Sequence, residues 1–187
     1  SVAIIDPESK RPAAIDEIGE IWLKGPSVAK GYWDDPERTT ERFNAFIEGT
    51  GDGPCLRTGD LGFIHDGQLY ITGRLKDLII IRGSNFFATD IEYTAGNSHD
   101  ALRTDSCAAF SVEIGQEERL VSVQELERTA MRSLNADEVF AAIINTVVGE
   151  HGIQAFAIVL VSPGSLLRTT SGKVRRQAMR KAWINKE

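Results

Sequence analysis

Apolar and polar positions alternate in short runs through the first seventy or so residues and lengthen into helical periods only beyond them. Val2 to Ile5 and Ile18 to Lys24 read as strands, separated by Asp6-Pro7-Glu8-Ser9-Lys10, residues that bend the backbone or bond to it. Gly25-Pro26 closes the second strand. After Gly31-Tyr32-Trp33, Asp35 is placed to cap a helix beginning at Pro36, with Phe43 and Phe46 marking its inward face. Residues 47–54 read as a surface loop, and no helix carrying the Lys of a phosphate loop follows it. Phe63-Ile64-His65 and Gln68-Leu69-Tyr70-Ile71 flank Asp66-Gly67, a pair that favours a tight hairpin, within a hairpin expected over 62–72.

The order then changes. Gly73-Arg74-Leu75-Lys76-Asp77 is a polar joint that runs directly into Leu78-Ile79-Ile80-Ile81, which predicts a hinge over 73–77 and a buried strand over 78–82. Thr89 and Glu92 stand at capping-box spacing and predict a helix over 90–98. Strands are expected over 106–112 and 120–124, joined by the polar Gly115-Gln116-Glu117-Glu118. Asn135 and Glu138 repeat the capping logic for a helix carrying Val139, Phe140, Ile143, Ile144 and Val147 and stopping at Gly149. Ala155 to Val161 is a last strand, ended by Pro163-Gly164, and Val174 to Ile184 a basic helix. The pattern predicts an α+β chain: a small β-rich piece over 1–72, the hinge, and a compact α+β domain over 78–187 large enough for its own core.

Composition adds limits. With 42% hydrophobic and 26% charged residues the chain is of ordinary globular make-up, and a net charge of -6 argues against a general nucleic-acid binder. The charge is uneven: residues 168–187 hold seven basic residues and one acid, +6, which leaves -12 for the rest. A basic end on an acidic body fits an anionic ligand or partner, or simply a solvated helix face. Cys55 and Cys107 follow no metal-like or redox-like spacing and read as buried thiols in a reducing compartment. No signal-peptide pattern or bilayer-length apolar run is present, so the expected location is the cytoplasm. Ser1-Val2-Ala3-Ile4-Ile5 opens on an apolar strand without an initiator Met, which suggests a piece of something longer.

Two places can carry chemistry. Lys173 follows Thr169-Thr170-Ser171-Gly172 just before the basic helix; a Walker A loop is excluded, because Leu167 stands where that pattern wants glycine and Val174 where it wants Ser or Thr. A lone lysine in a polar loop is normally solvated, yet small and hydroxyl neighbours let a phosphate or carboxylate approach closely. In Thr58-Gly59-Asp60, read as a turn, the carboxylate either caps backbone amides or accepts from the vicinal hydroxyls of a ribose. Arg74 is then its ion-pair partner or a second donor to the same sugar and phosphate.

Taken in order, Gly19-Glu20-Ile21-Trp22 with Gly31-Tyr32-Trp33, Arg57-Thr58-Gly59-Asp60-Leu61, Gly73-Arg74 through Ile91-Glu92, and Ser171-Gly172-Lys173 resemble the carboxyl-half motifs of the adenylate-forming superfamily. That superfamily includes acyl-CoA synthetases, luciferases, peptide-synthetase adenylation domains and fatty-acyl-AMP ligases. Ile79-Ile80-Ile81-Arg82-Gly83-Ser84-Asn85, Asp90-Ile91-Glu92 and Leu120-Val121-Ser122-Val123-Gln124-Glu125 most resemble the fatty-acyl-AMP ligases, although Phe86-Phe87-Ala88 departs from their aromatic-proline pattern. The resemblance implies the last piece of a distorted barrel followed by a mobile carboxyl-terminal domain, inactive without the upstream half. It implies a fatty acid and ATP as substrates, Mg2+ on the ATP phosphates, and the phosphopantetheine thiol of an acyl carrier protein as acceptor. It assigns Lys173 to catalysis, Asp60 and Arg74 to the AMP ribose and phosphate, Lys76 and Asp77 to the hinge, and Gly83 to the thiol-side loop. An acyl-CoA synthetase and a carrier-protein docking module are the alternatives.

Overall fold

The computed structural model describes residues 1–186 and divides into two compact units after Lys76. Glu187, the one acid counted in the basic end, lies outside the described residues. In the first unit β1 (Val2–Ile5), β2 (Gly19–Leu23), β3 (Leu56–His65) and β4 (Gln68–Arg74) form one antiparallel sheet in chain order, with α1 (Pro36–Phe43) inserted between β2 and β3. Ile5, Trp22, Ile47 and Cys55 make its buried cluster. Asp35 caps α1 as expected, accepting from the Arg38 amide at 3.0 Å. Phe43 packs edge-on against Tyr32 at 5.3 Å. Phe46 does not share that face: it lies past the helix end and is 53% exposed.

The second unit has three layers. β7 (Leu102–Ile114) and β8 (Glu117–Leu126) pair antiparallel, and β9 (Ala155–Val161) joins β8 in parallel, a pairing that requires a crossover, here α3 (Ala136–His151). Along α3, Val139, Ile143 and Val147 recur every four residues, and together with Ile91 and Ala95 of α2 (Ala88–Gly96) they bury one sheet face. α4 (Arg176–Asn185) lays Met179 and Trp183 on the other face, against Ala108, Phe110, Val121 and Val123. A small hairpin, β5 (Leu78–Ile81) with β6 (Ser84–Phe87), leads into α2.

Several local expectations are corrected here. α2 has no capping box: Phe87 is its extended N-cap, without a side-chain bond, and Glu92 is engaged elsewhere. α3 is capped by Asn135, which accepts from the Glu138 amide, but it runs through Gly149 and ends at Gly152 in the left-handed region. β7 and β8 extend well past the expected limits, because Gly115-Gln116 is a two-residue hairpin turn with both φ positive. Ser84–Phe87, which the sequence pattern does not mark, forms strand β6 against β5. The basic helix starts at Arg176, two residues later than expected.

Candidate functional site

In the first unit the site grows from a buried carboxylate. Glu20 is 0% exposed, and its Oε2 accepts from Trp22 Nε1 at 3.0 Å and from Arg57 Nε and Nη2 at 3.0 and 2.8 Å. Its Oε1 accepts from the Gly59 amide at 3.0 Å. A buried charge persists only when its lone pairs are met by donors, and here four bonds meet them. The consequence reaches Asp60. With Gly59 fixed by Glu20, Thr58 Oγ1 donates to the Ile21 carbonyl at 2.7 Å and accepts from the Asp60 amide at 3.0 Å. Thr58-Gly59-Asp60 is therefore not a free turn but an irregular stretch inside β3, spanned by a register shift against β2 and followed by one against β4.

Asp60 lies directly across the sheet from Arg74, whose Nε meets Asp60 Oδ1 at 2.9 Å. Both side chains keep substantial solvent exposure. The sheet thus brings together the two residues the sequence proposed for one sugar, and joins them by the ion pair that was the simpler alternative. Lys76 and Asp77 follow in a single 3₁₀ turn, Leu75–Asp77.

In the second unit Lys173 is exposed on a tight turn. The Thr169 amide donates to the Lys173 carbonyl at 2.8 Å, the Gly172 amide to the Thr169 carbonyl at 2.9 Å, and the Lys173 amide to Thr169 Oγ1 at 3.1 Å. Gly172 has φ of 84°, a left-handed conformation that a side chain would resist. Behind the turn Arg168 donates to the Gly172 carbonyl and to Ser106 Oγ, both at 2.9 Å. Arg168 also lies 3.7 Å from Glu125, a fully buried carboxylate of β8 that accepts the Gly164 and Leu166 amides at 3.0 Å each. The ammonium faces solvent, while its backbone is held to the sheet.

Gly83 occupies the β5–β6 turn with Arg82; both have positive φ, as a two-residue hairpin turn of this kind requires. The turn borders a groove of about 1120 Å³ that Phe86, Glu118, His151 and Phe156 also line. Neither cysteine offers a nucleophile. Burial lifts both thiols, Cys107 to about 12, so both are protonated at neutral pH. The described residues hold no cluster of three or more His, Cys, Asp or Glu fit for a metal ion, and no helix long and apolar enough to cross a membrane.

A family model described as "Disco-interacting protein 2-like, AMP domain" matches residues 76–187. The chain belongs to this AMP-domain family. Its wider relationships set the domain in the adenylate-forming superfamily, on the fatty-acyl-AMP-ligase side. The medium-chain-fatty-acid–[acyl-carrier-protein] ligase JamA of Moorena producens is 48% identical over 179 residues, which are 96% of this chain and 30% of that protein. The putative fatty-acid–CoA ligase FadD21 of Mycobacterium tuberculosis is 40% identical over 186 residues, 95% of this chain and 32% of that protein. A structure solved in a study of fatty acyl-adenylate ligases from E. coli and L. pneumophila aligns with a TM-score of 0.79 at 33% identity, over 100% of this chain and 31% of that one. The AMP-domain chain spans about a third of the length of the curated relatives it matches.

Sequence reasoning missed the two buried carboxylates, Glu20 and Glu125, that hold the Asp60 and Lys173 segments. The signal is faint: Glu20 stands among apolar residues in Ile-Gly-Glu-Ile-Trp, and Glu125 near the end of the mixed run Val-Ser-Val-Gln-Glu-Leu.

Proposed function

We propose that this chain is the carboxyl-terminal part of a fatty-acyl-AMP ligase. The complete enzyme would join a fatty-acid carboxylate to the α-phosphate of ATP, releasing pyrophosphate, and then pass the acyl group to the phosphopantetheine thiol of an acyl carrier protein. Lys173 is the catalytic group of the first half, an ammonium set between the attacking carboxylate and the α-phosphate. Asp60 accepts from the ribose hydroxyls, and Arg74 orients Asp60 and meets the sugar and phosphate. Between the two halves the second unit turns about the joint at Lys76 and Asp77, withdrawing Lys173 and bringing the Gly83 turn toward the thiol. Mg2+ would travel with the ATP phosphates; the described residues offer it no ligand cluster, and none of these steps runs through it.

The single observation that supports this reading most is the Lys173 turn, with an exposed side chain on a backbone bonded on both flanks. A solvated loop lysine needs no such support. Supplying the complete ligase with ATP and fatty acid, and with either holo acyl carrier protein or CoA, tests the acceptor. The acyl thioester is expected on the carrier; a comparable rate with CoA would favour the acyl-CoA synthetase reading, which the name given to FadD21 supports.

A further prediction concerns the joint. Lys76→Pro fixes φ and removes an amide donor in the 3₁₀ turn, so it is expected to slow thioester transfer more than pyrophosphate release. Equal losses in the two steps, measured separately, would remove the hinge role.

A further inference from the structure

Arg176 opens α4 three residues after Lys173, and its guanidinium joins points far apart in sequence. Nε and Nη2 donate to the two oxygens of Glu92 at 2.5 and 2.6 Å, while Nη1 donates to Asp77 Oδ2 at 2.9 Å. Glu92 Oε1 also accepts the Ala109 amide of β7 at 3.0 Å. The three side chains are only 20, 13 and 13% exposed. Burial lifts the Glu92 carboxyl above its ordinary value, and the guanidinium and the amide oppose that shift. Only a planar fork can serve two carboxylates at once in this way; a lysine brings the charge without the geometry.

Asp77 is the first residue of the second unit, and Arg176 lies 99 positions away along the chain. On its other flank the Lys173 turn is tied to the sheet by Arg168 and Glu125, but nothing in that tie reaches the joint. We propose that Arg176 is a positioning residue: it locks Asp77 to the Lys173 segment, so that a turn of the chain at Lys76 carries the ammonium along a fixed arc. This rests on the function proposed above and goes beyond it, naming the part that couples joint to lysine. Without the fork, rotation would reach Lys173 only through packing, and small errors in placement are costly to a charge that must meet an α-phosphate.

The test uses the complete ligase and four proteins: wild type, Arg176→Lys, Lys173→Ala and the double variant. Arg176→Lys is expected to lower kcat for pyrophosphate release by about ten- to a hundredfold, with KM for ATP nearly unchanged. In the Lys173→Ala background the same change should lower the residual rate less than about twofold, since no ammonium remains to be aimed. An equal fold loss in both backgrounds overturns the proposal, as does a lowered melting temperature with normal kcat. Asp77→Asn keeps the side chain's shape, weakens one arm of the fork, and should reproduce a smaller loss of kcat; it carries the test if Arg176→Lys does not fold. Should Lys173→Ala alone release pyrophosphate at the wild-type rate, the function reading fails first and takes the proposal with it.

Discussion

Glu20→Ala is expected to cost about 3–5 kcal/mol of stability, the loss that follows when one partner of a buried ion pair is removed and the other is left behind. Arg57 would keep its charge with its side chain only 18% exposed, and Trp22 Nε1 and the Gly59 amide would lose their acceptor as well. Asp60 would lose part of its footing, because the Gly59 amide is one of two ties that hold the stretch to β2, the other being Thr58 Oγ1 on the Ile21 carbonyl. Chemical denaturation monitored by Trp fluorescence reads this, as the buried Trp22 indole is bonded to Glu20 itself. A loss under about 1 kcal/mol would place Glu20 among the weakly coupled charges and would detach Asp60 from it.

The second large effect belongs to Lys173→Ala. Two anions brought to about 4 Å at an effective dielectric near 20 repel by roughly 4 kcal/mol, and the repulsion peaks as carboxylate and α-phosphate meet. A compact ammonium at that point converts repulsion into attraction. Removing a preorganised charge of this kind slows chemistry by about a hundred- to a thousandfold, or about 2.7–4 kcal/mol. The turn is suited to the role: the Lys173 carbonyl and amide and the Gly172 and Thr169 carbonyls are bonded, so little reorganisation is left for the moment of reaction. The side chain makes no core contact, so its removal should leave the melting temperature in place.

Much of the fold was legible because its signals are local. α1 and α3 start where Asp35 and Asn135 bond the third helical amide, and the stripe of α3 repeats at helical spacing. Asp66-Gly67 turned the β3–β4 hairpin as its residues required. What failed was decided from a distance. Thr89 and Glu92 have the right spacing for a cap, but the helix already begins at Ala88, and Glu92 turns instead to Arg176, 84 positions on. Glu117 and Glu118 looked like a linker because they are charged, whereas solvent-facing strand ends tolerate charge and continue β8. The candidate site divides in the same way. Lys173, Asp60 and Arg74 carried recognisable neighbours, while Glu20 and Glu125 show their purpose only once donors from 37 to 41 positions away converge on them. A glutamate in an apolar run reads as a strand's wet face until the fold closes over it.

The central claim, that one ammonium serves the first half of the reaction and stands aside in the second, has a direct measurement. Pyrophosphate release from ATP and fatty acid, and acyl transfer to holo carrier protein from supplied acyl adenylate, would be followed side by side in the complete ligase carrying Lys173→Ala. The account predicts a loss of at least about a hundredfold in release and transfer within a few-fold of wild type. Release at the wild-type rate, or equal losses in both steps, would contradict it.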